Sequence, residues 1–398
     1  MKDMFLTKGW LRSDGQKGIR NHVAVVFTVE CAEHVARKIA EPYTAGHNHV
    51  QLLGFDGCHS NEFVKRVFGA LVINPNVYGV VVVSLGCETL RGEHIVEAAQ
   101  AAGREVRFVS IQRDGGTTAS VKKGRAFVEE LLAKRGKAPR CDFYLSDLRI
   151  GSNCGGSDAM SGLASNPAVG VMFDMVIEAG GTCFFDEITE MIGCGDMAAT
   201  RSSNIVAEKI KEAIDRTIDI GVKLGTFGIA TGNAEGGLTS IEEKSLGAYM
   251  KSGHKEIKDV IRVGERPQTP GLYLIDSIPD DISRGHSPIS DAEDMSNAAA
   301  AGCHMLVFTT GRGTPMGSAL MPVIKLCGSP KTCEVMSENI DIDTSDVIYR
   351  STTIDEMGLE VLNEVIKVAQ GKLTCAEKLG HTELHLHIMN QKHVPCEC

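Results

Sequence analysis

The stretch "VYGVVVVSLGCETL", residues 77–90, decides how the chain is read. Its apolar part is continuous and β-branched rather than alternating, which marks a strand covered on both faces, as in a parallel sheet. The run then breaks at a glycine and presents Cys87 beside Glu88. In open α/β sheets the carboxyl ends of the strands are where ligands bind. Two other apolar runs end in the same manner, "GFDGCHSN" at Cys58 and "IGSNCGGSD" at Cys154.

Similar runs lie on either side. "HVAVVFTVE" (22–30), "VQLLGF" (50–55) and "EVRFVSIQ" (105–112) alternate with helical patterns such as "CAEHVARKIAE" and "SNEFVKRVFGALV". A helix over 122–136 closes this unit, and "GKAPRCD" (136–142) reads as a linker. A second series follows: "FYLSDLRIG" (143–151), "GTCFFDEI" (181–188), "KLGTFGIATG" (223–232), "GLYLIDS" (271–277) and "MLVFTTGRG" (305–313). The pattern predicts an α/β fold in two units with mainly parallel sheets, roughly 1–138 and 139–398. The glycine-rich, polar stretch 225–270 interrupts the second series and reads as an insertion near the site.

With 398 residues, 43% of them hydrophobic, the chain can bury a sizeable core without covalent staples. A net charge of −10 opposes nucleic acid and anionic membrane as partners. No apolar run reaches the roughly 18–20 residues of a spanning helix, and the start lacks the features of a signal peptide. A soluble cytoplasmic protein is expected, with reduced thiols. Of thirteen cysteines, Cys183, Cys303 and Cys327 sit in apolar surroundings and read as small core residues.

The glycine-flanked cysteines are different. Glycine lets the backbone turn sharply and approach a ligand closely. Thiolates from neighbouring strand tips suit an iron–sulfur cluster with an open iron, or a thiolate-rich mononuclear site; packing is the plainer alternative. Carboxylates gather at the same ends: Glu88, Asp158, and Asp186, Glu187 and Glu190 of "DEITE". Singly each reads as a helix cap or loop residue. Together they suit a hard cation, or removal of a proton from a carbon beside a carboxylate. In "TTGRGTPMG" (309–317), exposed backbone N–H groups and Arg312 suit an anionic substrate, and the Gly-Lys-Ser/Thr ending of a nucleotide loop is missing. In "GNAEGGLTSIEEKSLGA" (232–248), Ser240 and Glu243 resemble a capping box, with Lys244 beside them. His385, His387, Cys396 and Cys398 form a tail that reads as a solvated terminal tract.

Seven ordered phrases resemble the altronate and galactarate dehydratase family over nearly the whole chain. They are "RSDGQKGIRNHVAVVFTVECA", "NPNVYGVVVVSLGCE", "CGGSDAMSGLASNPAVG", "EAGGTCFFDEITE", "GNAEGGLTSIEEKSLGA", "LYLIDSIP" and "VFTTGRGTPMG". The resemblance implies dehydration of a polyhydroxy sugar acid to a 2-keto-3-deoxy acid, dependent on iron (Fe2+ or an iron–sulfur cluster) and reducing conditions. It implies a dimerising α/β region followed by an unusual Rossmann-like domain. On this reading Cys58, Cys87 and Cys154 are the metal ligands, and Glu88, Glu187 and Lys244 are the candidates for the catalytic base. Arg20, Ser157, Asp158, Thr310 and Arg312 would hold the hydroxy-acid substrate.

Three departures qualify the match. The chain starts at a G-x-x-R-x-D-G motif (Gly9, Arg12, Asp14, Gly15), without the small β-rich domain of single-chain members. A large subunit is therefore expected, homodimeric and working with a separate small β-rich subunit. "FDGCHSN" stands where sugar-acid enzymes tend to have His-x-x-Gly-Cys-Gly, and "DIDTSD" (341–346) replaces an Asn-Ala-Gly-like end. Changed polar groups alter which substrate hydroxyls a pocket can satisfy. The family also includes a sulfolactate sulfo-lyase large subunit, which expels sulfite instead of water and lacks the β-rich domain. The expected activity is altronate-type dehydration, with sulfite release as the alternative. An NAD-dependent oxidoreductase is opposed by "TVECAEHVA", a first βα turn without G-x-G-x-x-G. A metal-storage or scaffold subunit is the non-enzyme rival.

Overall fold

The computed structural model describes residues 3–44, 49–186, 188–224, 231–278, 290–384 and 386. Among these residues most of the apolar runs form the strands expected of them. The first part of the chain holds β1 (Phe5–Leu11), β2 (Lys17–Gly18), β3 (His22–Phe27), β4 (Val50–Gly54), β5 (Val77–Ser84), β6 (Glu105–Ser110) and β7 (Arg140–Tyr144). Strands β3 to β6 make a parallel sheet in the order β4-β3-β5-β6. Side-chain alternation sends Val23 and Val25 to one face, against Val35, Ile39 and Leu131 of the helices at 30–44 and 117–135. Ala24 and Val26 go to the other face, with Phe68, Leu71 and Ile95 of the helices at 62–72 and 92–101. Burial on both faces explains the unbroken hydrophobicity of these runs.

The second part holds β8 (Arg149–Cys154), β9 (Thr182–Phe185), β10 (Ile257–Arg262), β11 (Gly271–Asp276), β12 (Met305–Thr310), β13 (Val323–Cys327) and β14 (Ile342–Asp343). They form a parallel sheet in the order β10-β11-β9-β8-β12-β13-β14. Counted from β8, six of these strands take the 3-2-1-4-5-6 order of doubly wound folds, with β10 added at the edge. The addition is unusual, because β10 and β11 are parallel neighbours joined by 263–270 alone, without the usual helical crossover. The fold is α/β with mainly parallel sheets, as expected.

Several boundaries differ from expectation. Residues 143–151 are not one strand. β7 pairs antiparallel with β1, a 3-10 turn covers Leu145–Asp147, and only then does β8 begin. The break has a local cause: the Asp147 carboxylate accepts from the Tyr144 N–H at 2.8 Å and pairs with Lys17 at 2.7 Å, which diverts the backbone from a continuous strand. The linker therefore ends inside a third, antiparallel sheet, β2-β1-β7. The strand expected over 223–232 is also absent at both ends. Leu224 closes a helix from Asn204 and Thr231–Glu235 is helical, while 225–230 lie outside the described residues. Helix Ile241–Tyr249 and β10 occupy the stretch read as an insertion.

The two parallel sheets meet at the turn Asn74-Pro75-Asn76, whose asparagines are fully buried. Asn76 Oδ1 accepts from the backbone N–H groups of Ile19 and Arg20, both at 3.1 Å. Its Nδ2 donates to the carbonyls of His304 (2.9 Å) and Leu320 (3.1 Å), at either end of the segment holding β12. Asn74 Nδ2 donates to Ala299 (2.8 Å) and Cys303 (3.1 Å), capping the helix at 291–300. Arg12 donates to the Pro75 carbonyl at 2.7 Å. Arg266, half-buried, donates to Ala70, Ile73 and Ala300, so one cation serves the carboxyl ends of two helices. One apolar cluster then continues from Val26, Val80 and Phe68 into Phe184, Leu306 and Phe308.

Removing the Asn76 amide strands two N–H donors and two carbonyls inside the protein. At ~1–3 kcal/mol for each unsatisfied buried group, partly relieved by relaxation, Asn76→Ala is expected to cost about 3–5 kcal/mol in urea unfolding. A loss below about 1 kcal/mol would show that the turn does not join the sheets.

Candidate functional site

The amino ends of β3, β5, β8 and β12 gather near Asn76 and His304, so the carboxyl tips of both sheets open away from that junction. At the tips of the smaller sheet, Glu88 is buried and already engaged. Oε1 accepts from Thr28 Oγ1 at 2.6 Å and from the Ser84 hydroxyl, and Oε2 from the N–H groups of Gly86 (2.7 Å) and Cys87 (3.0 Å). Burial alone would raise its pKa, but these hydrogen bonds outweigh it and hold the carboxyl below its ordinary value. Glu88 therefore shapes the turn that presents Cys87. Thr89 N–H donates to the Cys58 carbonyl at 3.3 Å, which joins this turn to the loop after β4. Cys58, Cys87 and Cys31 are exposed here, and the Cys58 thiol is pushed up by local burial and then by its cysteine neighbours.

A different group forms in the larger sheet. The strand order reverses between β8 and β12, the switch point where such sheets bind ligands. Cys154 ends β8, Gly156 turns with φ +61°, and the Gly156 carbonyl accepts from the N–H groups of Gly311 and Arg312, both at 3.1 Å, after β12. Gly311 is required: a Cβ there would fall 1.8 Å from Asp158 Cγ. Asp158 caps the following helix, its Oδ1 accepting from Ser161 N–H at 2.7 Å, and burial raises its carboxyl pKa. Thr310 Oγ1 accepts from Gly313 N–H at 2.9 Å and fixes the loop that carries Arg312.

Cys154 Sγ lies 3.1 Å from Ser157 Oγ and 3.3 Å from Glu190 Oε2. Glu190 is buried, and its other oxygen pairs with Lys244 Nζ at 2.7 Å. Burial works against the Glu190 charge, but Lys244 and Lys251, with hydrogen bonds from Lys244 and Cys154, outweigh it and hold the carboxyl below its ordinary value. Lys244 comes from the helix Ile241–Tyr249, whose cap is Ser240 as expected, accepting from Glu243 N–H at 3.2 Å. The Glu243 carboxylate turns instead to the Thr239 N–H and hydroxyl, both at 2.8 Å. An ionised carboxylate, a lysine and a thiol are thus in contact at the end of β8, with Lys251 near enough to act on the carboxylate by its charge.

The sequence-predicted residues divide accordingly. Cys154, Ser157, Asp158, Lys244, Thr310 and Arg312 come together, with Arg312 at the rim paired to Glu235 at 2.6 Å. Arg20 does not join them. It makes a two-pronged pair with Glu377 at 2.8 and 3.0 Å and donates to the Ile19, Val368 and Lys372 carbonyls, so it fastens 368–377 to the start of β3. Glu187 lies outside the described residues, as do His385, His387, Cys396 and Cys398. Cys183, Cys303 and Cys327 are buried as expected. Cys58 and Cys87 stand with Cys31, whereas Cys154 stands with Glu190 and Ser157. Among the described residues no three His, Cys, Asp or Glu side chains are placed to hold a metal ion, so the three-thiolate iron centre is not assembled from them. Lys251 and Asp291 carried no sequence signal for the site, and Glu190 was legible only as a member of "DEITE".

Comparison with known proteins gives the family. Residues 145–392 match the model of the D-galactarate/altronate dehydratase C-terminal domain, and 9–135 that of the D-galactarate dehydratase/altronate hydrolase second domain. The chain belongs to the galactarate/altronate dehydratase family. It is 34% identical to the (2R)-sulfolactate sulfo-lyase subunit beta of Chromohalobacter salexigens, over 95% of this chain and 96% of that one. It is 30% identical to the altronate dehydratase of Bacillus subtilis, over 95% of this chain and 76% of the relative. The altronate dehydratase of Escherichia coli is also 30% identical, over 94% and 76%. The family member described here is an enzyme of the lyase class. Among the described residues no helix is long and apolar enough to cross a membrane.

Glu88 makes a prediction about acid stability. Its folded-state pKa is depressed, so its contribution is present above the unfolded pKa and lost as pH falls through the folded one. Glu88→Gln should be less stable than wild type at pH 7, with the gap closing as pH falls below about 4. Parallel unfolding curves from pH 7 to pH 3 measure this, and a gap independent of pH would contradict it.

Proposed function

We propose that the chain is the large subunit of a hydroxy-acid lyase that eliminates water from a polyhydroxy sugar acid of the altronate type, giving a 2-keto-3-deoxy acid. The observation that carries this reading is the buried Glu190–Lys244 pair beside Cys154 at the switch point, in a chain of this family. Elimination begins with loss of the proton on the carbon beside the carboxylate. Glu190, held ionised, accepts that proton, and Lys244 offsets the negative charge that develops on the substrate carboxylate. Arg312 and Ser157 border the crevice from the two loops and hold the substrate's carboxylate and hydroxyl groups. Iron enters through the family resemblance alone, and metal analysis of protein purified without oxygen decides its part.

Sulfite release is the second reading, favoured by the sulfolactate sulfo-lyase relative, whose length this chain covers almost fully. That relative is named a subunit, which supports a partner subunit here; that the partner is small and β-rich, and that region 1–138 is the dimerising part, rest on the family resemblance alone.

Purified chain with its small partner, incubated with altronate, galactarate and sulfolactate, should release a 2-keto-3-deoxy acid from a sugar acid, and the chain alone should do so poorly. Pyruvate with sulfite, and no sugar-acid turnover, would reverse the order of the two readings. Glu190→Gln should lower kcat by about 10²–10⁴-fold with KM changed little, since the proton transfer is lost and the shape is kept. Wild-type turnover in that variant would remove Glu190 from the chemistry.

A further inference from the structure

Elimination of water needs two proton positions, one to take the proton from carbon and one to protonate the oxygen that leaves. Hydroxide is a poor leaving group, so an acid must meet it. Glu190, paired with Lys244, is already assigned to the carbon proton, so a second group must supply the other. A second carboxyl group stands in the same crevice.

Asp291 opens the helix Asp291–Ala300, directly after its cap Ser290. Its carboxylate lies against the backbone of Gly155, the residue after Cys154: a Cβ on Gly155 would fall 2.1 Å from Asp291 Oδ2 and 2.7 Å from Cγ. Glycine at 155 therefore leaves the space through which Asp291 reaches the tip of β8. The far end of the helix is fixed where Asn74, Arg149 and Arg266 take its last carbonyls, so its first residue is positioned from a rigid base.

We propose that Asp291 is the catalytic acid of the elimination, donating its proton to the departing hydroxyl. This rests on the elimination reading given above. Glu190 takes the proton from C2 and the C2–H electrons form the C2–C3 double bond. The C3–O bond breaks toward oxygen, which leaves as water with the Asp291 proton. Ketonisation returns the system to its starting state: C3 receives the proton from Glu190, and the enol O–H proton goes to Asp291. Nothing is oxidised or reduced, and the product is the 2-keto-3-deoxy acid.

The electrostatics suit the assignment. Burial, and then the charge of Glu190, push the Asp291 carboxyl up to about 6, with Lys244 and Lys251 opposing. Its own helix adds the acidic neighbours Glu293 and Asp294, the latter bonded to Asn153 Nδ2 at 3.4 Å on β8. Two carboxyl groups in one crevice with environments that push them apart form the usual acid–base division of labour.

The test separates an acid from a structural residue by the leaving group. The complete enzyme is assayed with the hydroxy acid it turns over best, and with that acid's 3-deoxy-3-fluoro analogue, since fluoride departs without a proton. Asp291→Asn should lower kcat on the hydroxy acid by about 100-fold or more, but change turnover of the fluoro analogue by only a few fold. Wild-type kcat should fall as pH rises through the Asp291 pKa, and that limb should be missing in Asp291→Asn, while Asp291→Glu restores part of the activity. Equal losses on both substrates, with a folded variant by circular dichroism, would overturn the proposal and make Asp291 a structural residue. Undiminished turnover of the hydroxy acid would also overturn it. Release of sulfite alone by the wild type, with no dehydration, would overturn the elimination reading and this assignment together.

Discussion

The two asparagines at 74 and 76 are the constraint on which the rest depends. A buried amide is costly unless its donors and acceptor are satisfied, and here, apart from the Asn76 N–H that donates to Asn74 Oδ1, the partners come from distant parts of the chain. The segment before β3, the start of β5, the end of the helix at 291–300 and the start of β12 must converge for that to happen. The geometry is then determined at one end. Both sheets are joined where their strands begin, and their carboxyl tips are left to open. The loops at those tips thus need contribute little to holding the sheets together, and they are free to carry glycine, cysteine and charge.

The helix at 291–300 transmits that constraint to the site. Its carbonyl end sits on Asn74, Arg149 and Arg266, where cations also answer the helix dipole. Its other end places Asp291 over Gly155. The cluster it meets sets Glu190 and Asp291 against Lys244 and Lys251. Burial makes each attraction stronger than it would be in water, and makes an unbalanced charge expensive. This is why Glu190 can remain ionised at a site excluded from solvent while Asp291, more weakly compensated, is drawn toward the neutral form.

Much of this was legible in the sequence, for identifiable reasons. The strands of both sheets were readable because burial on both faces forces continuous β-branched runs, as at Val80–Val83. The loops bearing Cys154, Asp158 and Arg312 were readable because glycines mark the turn of a strand into its ligand-binding end. What was not readable depended on side chains chosen by tertiary contact. Arg20 looks like a carboxylate anchor, and it is one, but for Glu377 of its own chain. Glu88 looks like a base, yet the turn around it consumes all its lone-pair directions. Lys251 and Asp291 lie in unremarkable helical ends, and only the packing of 241–252 and 290–300 on the tip of β8 brings them to the crevice. The strand expected over 143–151 breaks because Asp147 competes for backbone N–H groups that a run of apolar residues would otherwise commit to a ladder.

The strand order invites comparison with dinucleotide-binding proteins, and the first turn after β8 shows why this chain departs from them. In those proteins the helix after the first strand offers bare N–H groups and a positive dipole end to a pyrophosphate. Here that place is taken by the chain itself. Asp158 caps the helix with its own carboxylate, accepting from Ser161 N–H, and Gly311 lies so close that no side chain could stand between them. A phosphate would meet a carboxylate and a closed loop in place of a vacant cradle. At the switch point stand Cys154, Glu190 and Lys244. On the elimination reading proposed above, a closed, carboxylate-capped loop suits a small acid better than a dinucleotide.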